Sequence, residues 1–582
     1  MDHRSAKQQG LIKEDSYTSI SKSTKRPKMT LPAGITQDTF NNALRAFEKA
    51  IGTEWVFSKE EDVRLYRDAY SPFGGESQEY VASAAVAPGT AEEVQEVVRV
   101  ANKYRIPLYA ISTGKNLGYG GAAPSYSGSV VVDLKRLNRI IEVDESQAFC
   151  IVEPGVSYFD LYEYLQEHKL KLWIDCPEPG WGSLVGNALD RGAGYTSTRF
   201  RNHFDAHCGM EVVLPNGELM RTGMGALPGA KTWGLYKTGF GPWVDGMFSQ
   251  SNFGIVTKMG FWLMPEPDAV LRCTVDASKL SDLDPMITLM TELENKGVFN
   301  GYPDFFSPVL GNPGLEGLHK FMVNGPSSAD PEFLQLLQRG AKPEEYEPYA
   351  IKNNLPYWRM IFTYYGPKKV IEAQWEHTQE RFRKAIPNAK FNIVESFTTP
   401  LTEADKAKVE FPAMYGIPNL RGFIIGTRSN WSPAPASDGH IGFSPIIPRR
   451  AEEVIKINQV LGEAARKFNV PLPFAMNAPV PSWERSFTFV ILFWISKDQE
   501  VNKRTRAAFE YMVRKAAENG WGEYRTPVAF QDLVMDTYSF NNHALLRFHE
   551  TVKDAIDPNG ILSPGRYGIW PKHLRDSNKK KF

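Results

Sequence analysis

The amino-acid sequence predicts an α+β protein of two or three folding units, and three observations carry that expectation. The chain has 582 residues, more than one core holds at roughly 100–200 residues per domain. From Val81 to Pro265, short β-branched runs alternate with segments of helical periodicity. A second mixture of strand and helix signals opens at Asp268 and continues to Gly520, before a last stretch of glycines, aromatics and basic loops.

The elements can be read in order. Thr90 and Glu93 have capping-box spacing, and Val94, Val97, Val98 and Ala101 then recur on one helical face. Ile106 to Ile111 and Ser129 to Leu134 read as strands. Phe149 to Val152 is a third, followed by a helix carrying Leu161, Tyr164 and Leu165. Between Val212 and Met220, Asn216-Gly217 is a two-residue hairpin signal. In the middle, LRCTVDASKLSDL (Leu271 to Leu283) reads as a strand then a helix, and Val480 to Ile495 is rich in Phe and Trp. No internal repeat is visible. The expected division is a disordered tail over 1–29, a first unit over 30–267, a second over 268–520 that covers it, and a C-terminal part over 521–582.

Composition excludes several classes. Lys+Arg and Asp+Glu both number 67, so the formal charge is zero and a nucleic-acid partner is not expected. Cys150, Cys176, Cys208 and Cys273 form no CxxC pair and no metal-ligand rhythm with histidine, and read as buried thiols in a reducing compartment. No apolar run reaches the ~18–20 residues that span a bilayer. The N-terminus lacks the apolar core of a secretory signal, and the terminal NKKKF is not an SKL-type address. A cytoplasmic location is the expectation.

Three loops bear on ligand binding. Ser112-Thr113-Gly114-Lys115-Asn116-Leu117-Gly118-Tyr119-Gly120-Gly121 follows a strand directly. Its glycines let the backbone approach a ligand and turn N–H groups toward anionic oxygens, for which a pyrophosphate is the natural guest. Lys115 is outside a GxxxxGK[ST] frame, which disfavours a P-loop NTPase. A plain glycine-rich turn is the competing explanation. Ser183, Gly186 and Asn187 lie in a second small-residue loop that continues to Arg191-Gly192-Ala193-Gly194, and Gly254, Ile255 and Val256 close a third. Glycines spread over three loops suit an extended dinucleotide across a sheet better than a Rossmann site, which gathers them in one turn.

In this order, PGTAEEVQEVVRVAN, STGKNLGYGG, GSLVGNALDRG, QSNFGIVTKMG, DGHIGFSP, GEYRT, LLRFHE and DPNGILSPGRYGIW resemble the vanillyl-alcohol oxidase and p-cresol methylhydroxylase family. Eugenol oxidase and vanillyl-alcohol oxidase are the nearest members by this resemblance, which extends over nearly everything after residue 30. It implies an FAD-binding domain made of N- and C-terminal parts with a cap domain between them. It also implies hydride transfer from a para-substituted phenolate through a p-quinone methide, with dioxygen as acceptor and peroxide as product. Relatives form dimers, or octamers built from dimers, so a homodimer or larger homo-oligomer is expected.

The resemblance also assigns residues. His440, alone a structural histidine, looks like the residue bonded covalently to FAD. Tyr119, Tyr524 and Arg525, otherwise two packing aromatics and a surface cation, look like the phenolate-binding triad. A cation and two O–H donors favour the anion of a phenol whose pKa is ~10, and an arginine cannot lose its charge. Glu178 stands where family oxidases usually carry Asp, and its expected role is general acid/base. Asp175 is the rival carboxylate, read as a strand-end structural residue. Arg566 matches a basic position near the flavin pyrimidine, where a cation stabilises the reduced anion; an ordinary salt bridge is its alternative. The stretch Tyr195 to Cys208 departs from the family pattern and is two residues longer, so His203 is assigned no role. A cytochrome-type acceptor is the alternative for the second half-reaction. A sugar or aldonolactone oxidase would not need Tyr524 and Arg525, and a non-catalytic scaffold would need none of these residues.

Overall fold

Thr90 caps the helix Ala91–Tyr104 by accepting a hydrogen bond from the Glu93 N–H. The Glu93 carboxylate reaches past Thr90 to the Gly89 N–H at 2.6 Å, so the expected box closes one residue earlier. Val94, Val97, Val98 and Ala101 are fully buried, each valine contributing about 1.5–3 kcal/mol. They pack in one core with Ala84–Val86, Leu108–Ile111 and Val130–Asp133, which run parallel. Strands covered on both faces read as continuous apolar runs, and Val130 to Val132 show that pattern. Leu108 also exchanges backbone hydrogen bonds with the far end of the chain: its N–H donates to Ile561 at 2.7 Å and its carbonyl accepts from Ser563 at 2.7 Å.

The computed structural model describes residues 29–310, 330–339, 341–420, 439–470, 474–475, 480–483 and 485–578. The expected N-terminal tail, apart from Met29, lies outside them, as do the last four residues.

A second, antiparallel sheet takes the order Ile140–Asp144, Phe149–Val152, Ile255–Trp262, His207–Val213 and Leu219–Arg221. Its last hairpin has three loop residues, where the sequence suggested two. The Leu214 carbonyl accepts from the Gly217 N–H at 2.8 Å, and the Leu214 N–H donates to Glu218 at 2.9 Å. Pro215 suits the first central position of a type I turn, and Gly217 at φ 86° supplies the left-handed residue that follows it.

The middle of the chain forms the sheet Asp304–Phe306, Trp358–Gly366, Ala269–Ala277 and Lys390–Thr398, antiparallel throughout. Helix Lys368–Ala385 packs on it, and helix Leu283–Asn295 packs against that helix and shares its core. Gly439–Phe443 pairs with Ile491–Ile495, and the helices Ala451–Phe468 and Gln499–Glu518 share their core. Trp521, Phe530, Leu533 and Val534 join that same core. The fold is α+β, with the C-terminal segment bound both to this layer and to the first parallel sheet. All four cysteines are buried and unpaired. Among the described residues, no helix is long and apolar enough to cross a membrane.

Candidate active site

The loop that leaves Leu108–Ile111 presses against the strand Gly439–Phe443. Gly118 at φ 82° makes this possible: its carbonyl accepts from the Gly442 N–H at 3.1 Å, and a Cβ there would stand 2.9 Å from His440 Nε2. Gly186 serves a second close approach, since a Cβ on it would fall 2.1 Å from Ser112 Oγ. Ser183 accepts from the Gly186 N–H at 3.1 Å and fixes the turn that brings this loop to the first.

Between these loops runs an open cleft of about 1060 Å³ including its mouth. Ser112, Gly114, Lys115, Asn116, Ser183, Gly186, Asn187, Gly254, Ile255, Val256 and Arg566 line it, together with Tyr119 and Arg525. All three glycine-bearing loops therefore meet in one place. The cleft is extended and walled by backbone, with cations at Lys115, Arg525 and Arg566, and these features fit a dinucleotide. Leu117 packs against the core built from the middle of the chain, and Gly118 against His440.

His440 lies beside the cleft under the Tyr70 ring, with centroids 5.2 Å apart. Its Nδ1 is buried without a hydrogen-bond partner, and burial pushes the imidazole down to about 4. Tyr119 Oη is 2.9 Å from Ser444 Oγ, and the Arg525 guanidinium lies over the Tyr119 ring at 4.1 Å. Tyr524 is set next to them by its N–H, which donates to the Ser444 carbonyl at 3.2 Å. Burial pushes the Tyr524 phenol up to about 12 and raises Tyr119 as well, although the Arg525 charge opposes both shifts. Arg525 donates to Asn116 Oδ1, while its Nε is buried with no hydrogen-bond partner.

Asp190 also lines the cleft. Its carboxylate accepts from Asn116 Nδ2, from Tyr567 Oη at 2.6 Å and from Arg566 Nη2 at 3.0 Å, and lies 3.8 Å from Arg525 Nη2. Arg566 also donates to Tyr109 Oη. Burial alone would raise the Asp190 carboxyl, but the two guanidiniums and these hydrogen bonds hold it below the ordinary carboxylate range.

Glu178 stands apart from the cleft lining. It precedes a cis Pro179, and its charge adds to the burial that chiefly raises the phenol of Tyr195, whose ring meets Tyr302 and Phe411 at 5.3 and 4.8 Å. Asp175 Oδ1 accepts from the N–H groups of Tyr195 and Thr196, both at 2.9 Å, which fits a structural reading. His203 is buried, with Nδ1 2.9 Å from Tyr158 Oη and Nε2 3.5 Å from Asp175.

Sequence reasoning passed over Asp190, Ser444, Tyr109 and Tyr567. Asp190, Ser444 and Tyr567 sit inside the quoted motifs, but an acid beside Arg191 reads as a local ion pair. Its true partner Arg566 is 376 residues away.

A family model described as an FAD binding domain matches residues 82–223. The chain is 32% identical over 541 residues to the 4-cresol dehydrogenase (hydroxylating) flavoprotein subunit of Pseudomonas putida, covering 93% of this chain and 97% of that one. The structure of 4-ethylphenol oxidase from Gulosibacter chungangensis in its isoeugenol complex superposes with a TM-score of 0.78 at 34% identity, over 94% of this chain and 100% of that one. That of p-cresol methylhydroxylase with substrate bound gives 0.79 at 31%, over 93% and 99%.

Proposed function

The chain belongs to the vanillyl-alcohol oxidase and p-cresol methylhydroxylase family of FAD flavoproteins, and from that premise we propose that it oxidises para-substituted phenols and passes the electrons to dioxygen. The substrates are 4-hydroxybenzyl alcohols and 4-alkyl- or 4-allylphenols of the vanillyl alcohol and eugenol type. The observation that carries this reading is the buried, unpartnered Nε of Arg525 beside Tyr119 in the cleft wall. A buried donor without a partner costs about 1–3 kcal/mol, and a phenolate oxygen would satisfy it.

Bound FAD supplies a two-electron hydride acceptor. The chain's residues prepare the donor. Arg525 favours the ionised substrate, while Tyr119 and Tyr524, both held protonated, donate hydrogen bonds to its oxygen. The phenolate pushes density to the para-benzylic carbon, from which hydride departs and leaves a p-quinone methide. Glu178 then moves the proton: it steers water onto that carbon to give an alcohol, accepts a neighbouring C–H proton to give a vinyl product, or takes the O–H proton of a benzylic alcohol to give a carbonyl. His440, neutral and poised beside the glycine loop, would carry the covalent attachment. Arg566 would face the pyrimidine ring and favour negative charge there. The three loops, through Ser112 to Gly118, Ser183 to Asn187 and Gly254 to Val256, would hold the dinucleotide.

The same reading assigns 30–267 and 521–582 to one FAD-binding domain and 268–520 to its cap. It includes assembly as a homodimer or larger homo-oligomer, supported by exposed Phe240, Trp243, Phe540 and Phe548. A cytochrome-type acceptor is the second reading, because the Pseudomonas putida relative is a dehydrogenase subunit. Aerobic turnover of a para-substituted phenol panel separates them. Stoichiometric peroxide supports the oxidase; turnover only with added cytochrome supports the second reading; oxidation of sugars without phenols overturns both.

A further inference from the structure

One carboxylate, Asp190, is shared by the two arginines that face opposite ends of the proposed reaction. It lines the cleft, is 4% exposed, and stands 3.0 Å from Arg566 Nη2 and 3.8 Å from Arg525 Nη2. Asn116 bridges the arrangement, giving its Nδ2 to Asp190 and taking Arg525 Nη2 on its Oδ1. Tyr567 gives its hydroxyl to the same oxygen as Arg566, at 2.6 Å. The backbone is bent to reach it: Tyr567 sits at φ 53°, between Gly565 and Gly568 in the same left-handed region. Such outliers persist where surrounding structure holds them, often at functional sites.

We propose that Asp190 is a positioning residue that orients Arg525 and Arg566 and sets the positive charge each presents, so that the phenol site and the flavin site are electrostatically coupled through one side chain. This rests on the functional reading above. With two guanidiniums on one carboxylate the group carries a net single positive charge. An isosteric neutral replacement would leave both cations uncompensated, favouring the bound phenolate and the reduced flavin together.

The test uses the FAD-loaded enzyme and two readouts other than turnover: the ionisation of a bound, non-reacting phenol followed by its phenolate absorption, and the flavin reduction potential. In Asp190→Asn the bound phenol should ionise roughly one pH unit lower, about tenfold in phenolate affinity. The reduction equilibrium should shift about tenfold toward the reduced form, which is about 30 mV for a two-electron couple. Asp190→Glu, which keeps the charge, should return both values toward wild type. Tyr567→Phe covers the case in which Asp190→Asn does not fold. It changes no charge, but it frees a lone pair of Asp190 for the arginines, so both readouts should move the opposite way by about two- to threefold. Asp190→Asn with either readout at its wild-type value overturns the coupling, as does Tyr567→Phe with neither moved. Absence of a phenolate band in the wild-type enzyme would instead overturn the functional reading.

Discussion

Replacing Arg525 by Gln removes the fixed positive charge while keeping a planar amide donor at the level of the Arg525 Nε. Arg525 already interacts with Asp190 at 3.8 Å, a separation worth about 4 kcal/mol at an effective dielectric near 20. A phenolate oxygen meeting the buried Nε would feel an attraction of the same order, reduced by the cost of burying the anion. What remains corresponds to a downward shift of about one to three pKa units. A para-substituted phenol near pKa ~10 then titrates between about 7 and 9 in the wild-type site, so the anion at pH 7 rises from about 0.1% to between about 1% and 50%. In Arg525→Gln the bound pKa returns to its ordinary value or above it. The sign follows: the reactive form is the deprotonated one, so flavin reduction at pH 7 falls about 10- to 1000-fold and recovers about tenfold per pH unit on raising the pH. Arg525→Lys keeps charge but not the planar fork, and should fall between. The assay is stopped-flow flavin reduction by a 4-alkylphenol from pH 6 to 10, beside phenolate absorption of a competitive ligand. A variant with wild-type rate and the same pH profile would refute substrate ionisation by Arg525.

Other expected outcomes follow from the same geometry. Acid-precipitated protein should stay yellow with one FAD in its intact mass, and His440→Ala should release the flavin. Because burial lowers the His440 pKa to about 4, attachment of FAD to apoprotein should be insensitive to pH from 5 to 8 and slow only as the imidazole protonates below that; a rate falling from pH 8 to 6 would contradict a neutral histidine. Gly442→Ala places a Cβ 2.5 Å from the Tyr119 ring, so it should cost about 1–3 kcal/mol in unfolding free energy and weaken the phenolate band, measured by denaturation and titration. Glu178→Gln should slow 4-hydroxybenzyl alcohols by about 10²–10⁴-fold and change the alcohol-to-vinyl ratio from 4-alkylphenols while phenolate binding survives; unchanged rate and products would make Glu178 a bystander and Asp175 the next candidate.

Much of the local structure was legible because local physics determines it. The Thr90 cap, the valines behind it and the β-branched strand Val130–Asp133 need only periodicity. The hairpin at Gly217 was misjudged by one residue because Pro215 belongs to its turn, a choice set by backbone geometry more than by the Asn-Gly signal. The glycine loops were legible as backbone open to close approach, but periodicity could not show that they meet in one cleft. Leu108 pairing with Ile561 and Ser563 is what carries Arg566 there. Asp190 escaped notice for the same reason: its meaning lies in Arg525 and Arg566, both far along the chain, and nothing local distinguishes it from an acid beside Arg191. Tyr119, Tyr524 and Arg525 came from family resemblance alone; that Ser444 touches both tyrosines and that Arg525 lies over the Tyr119 ring could be seen only in three dimensions.

The most direct measurement is anaerobic mixing of the enzyme with a 4-alkylphenol and, separately, with its 4-O-methyl ether, following flavin absorbance. Without oxygen the identity of the acceptor is irrelevant. The phenol should bleach the flavin with a transient quinone methide absorbance, whereas the ether, which cannot ionise, should bind and leave the flavin oxidised. Equal reduction by the ether, or no reduction by any para-substituted phenol, would contradict phenolate-driven hydride transfer.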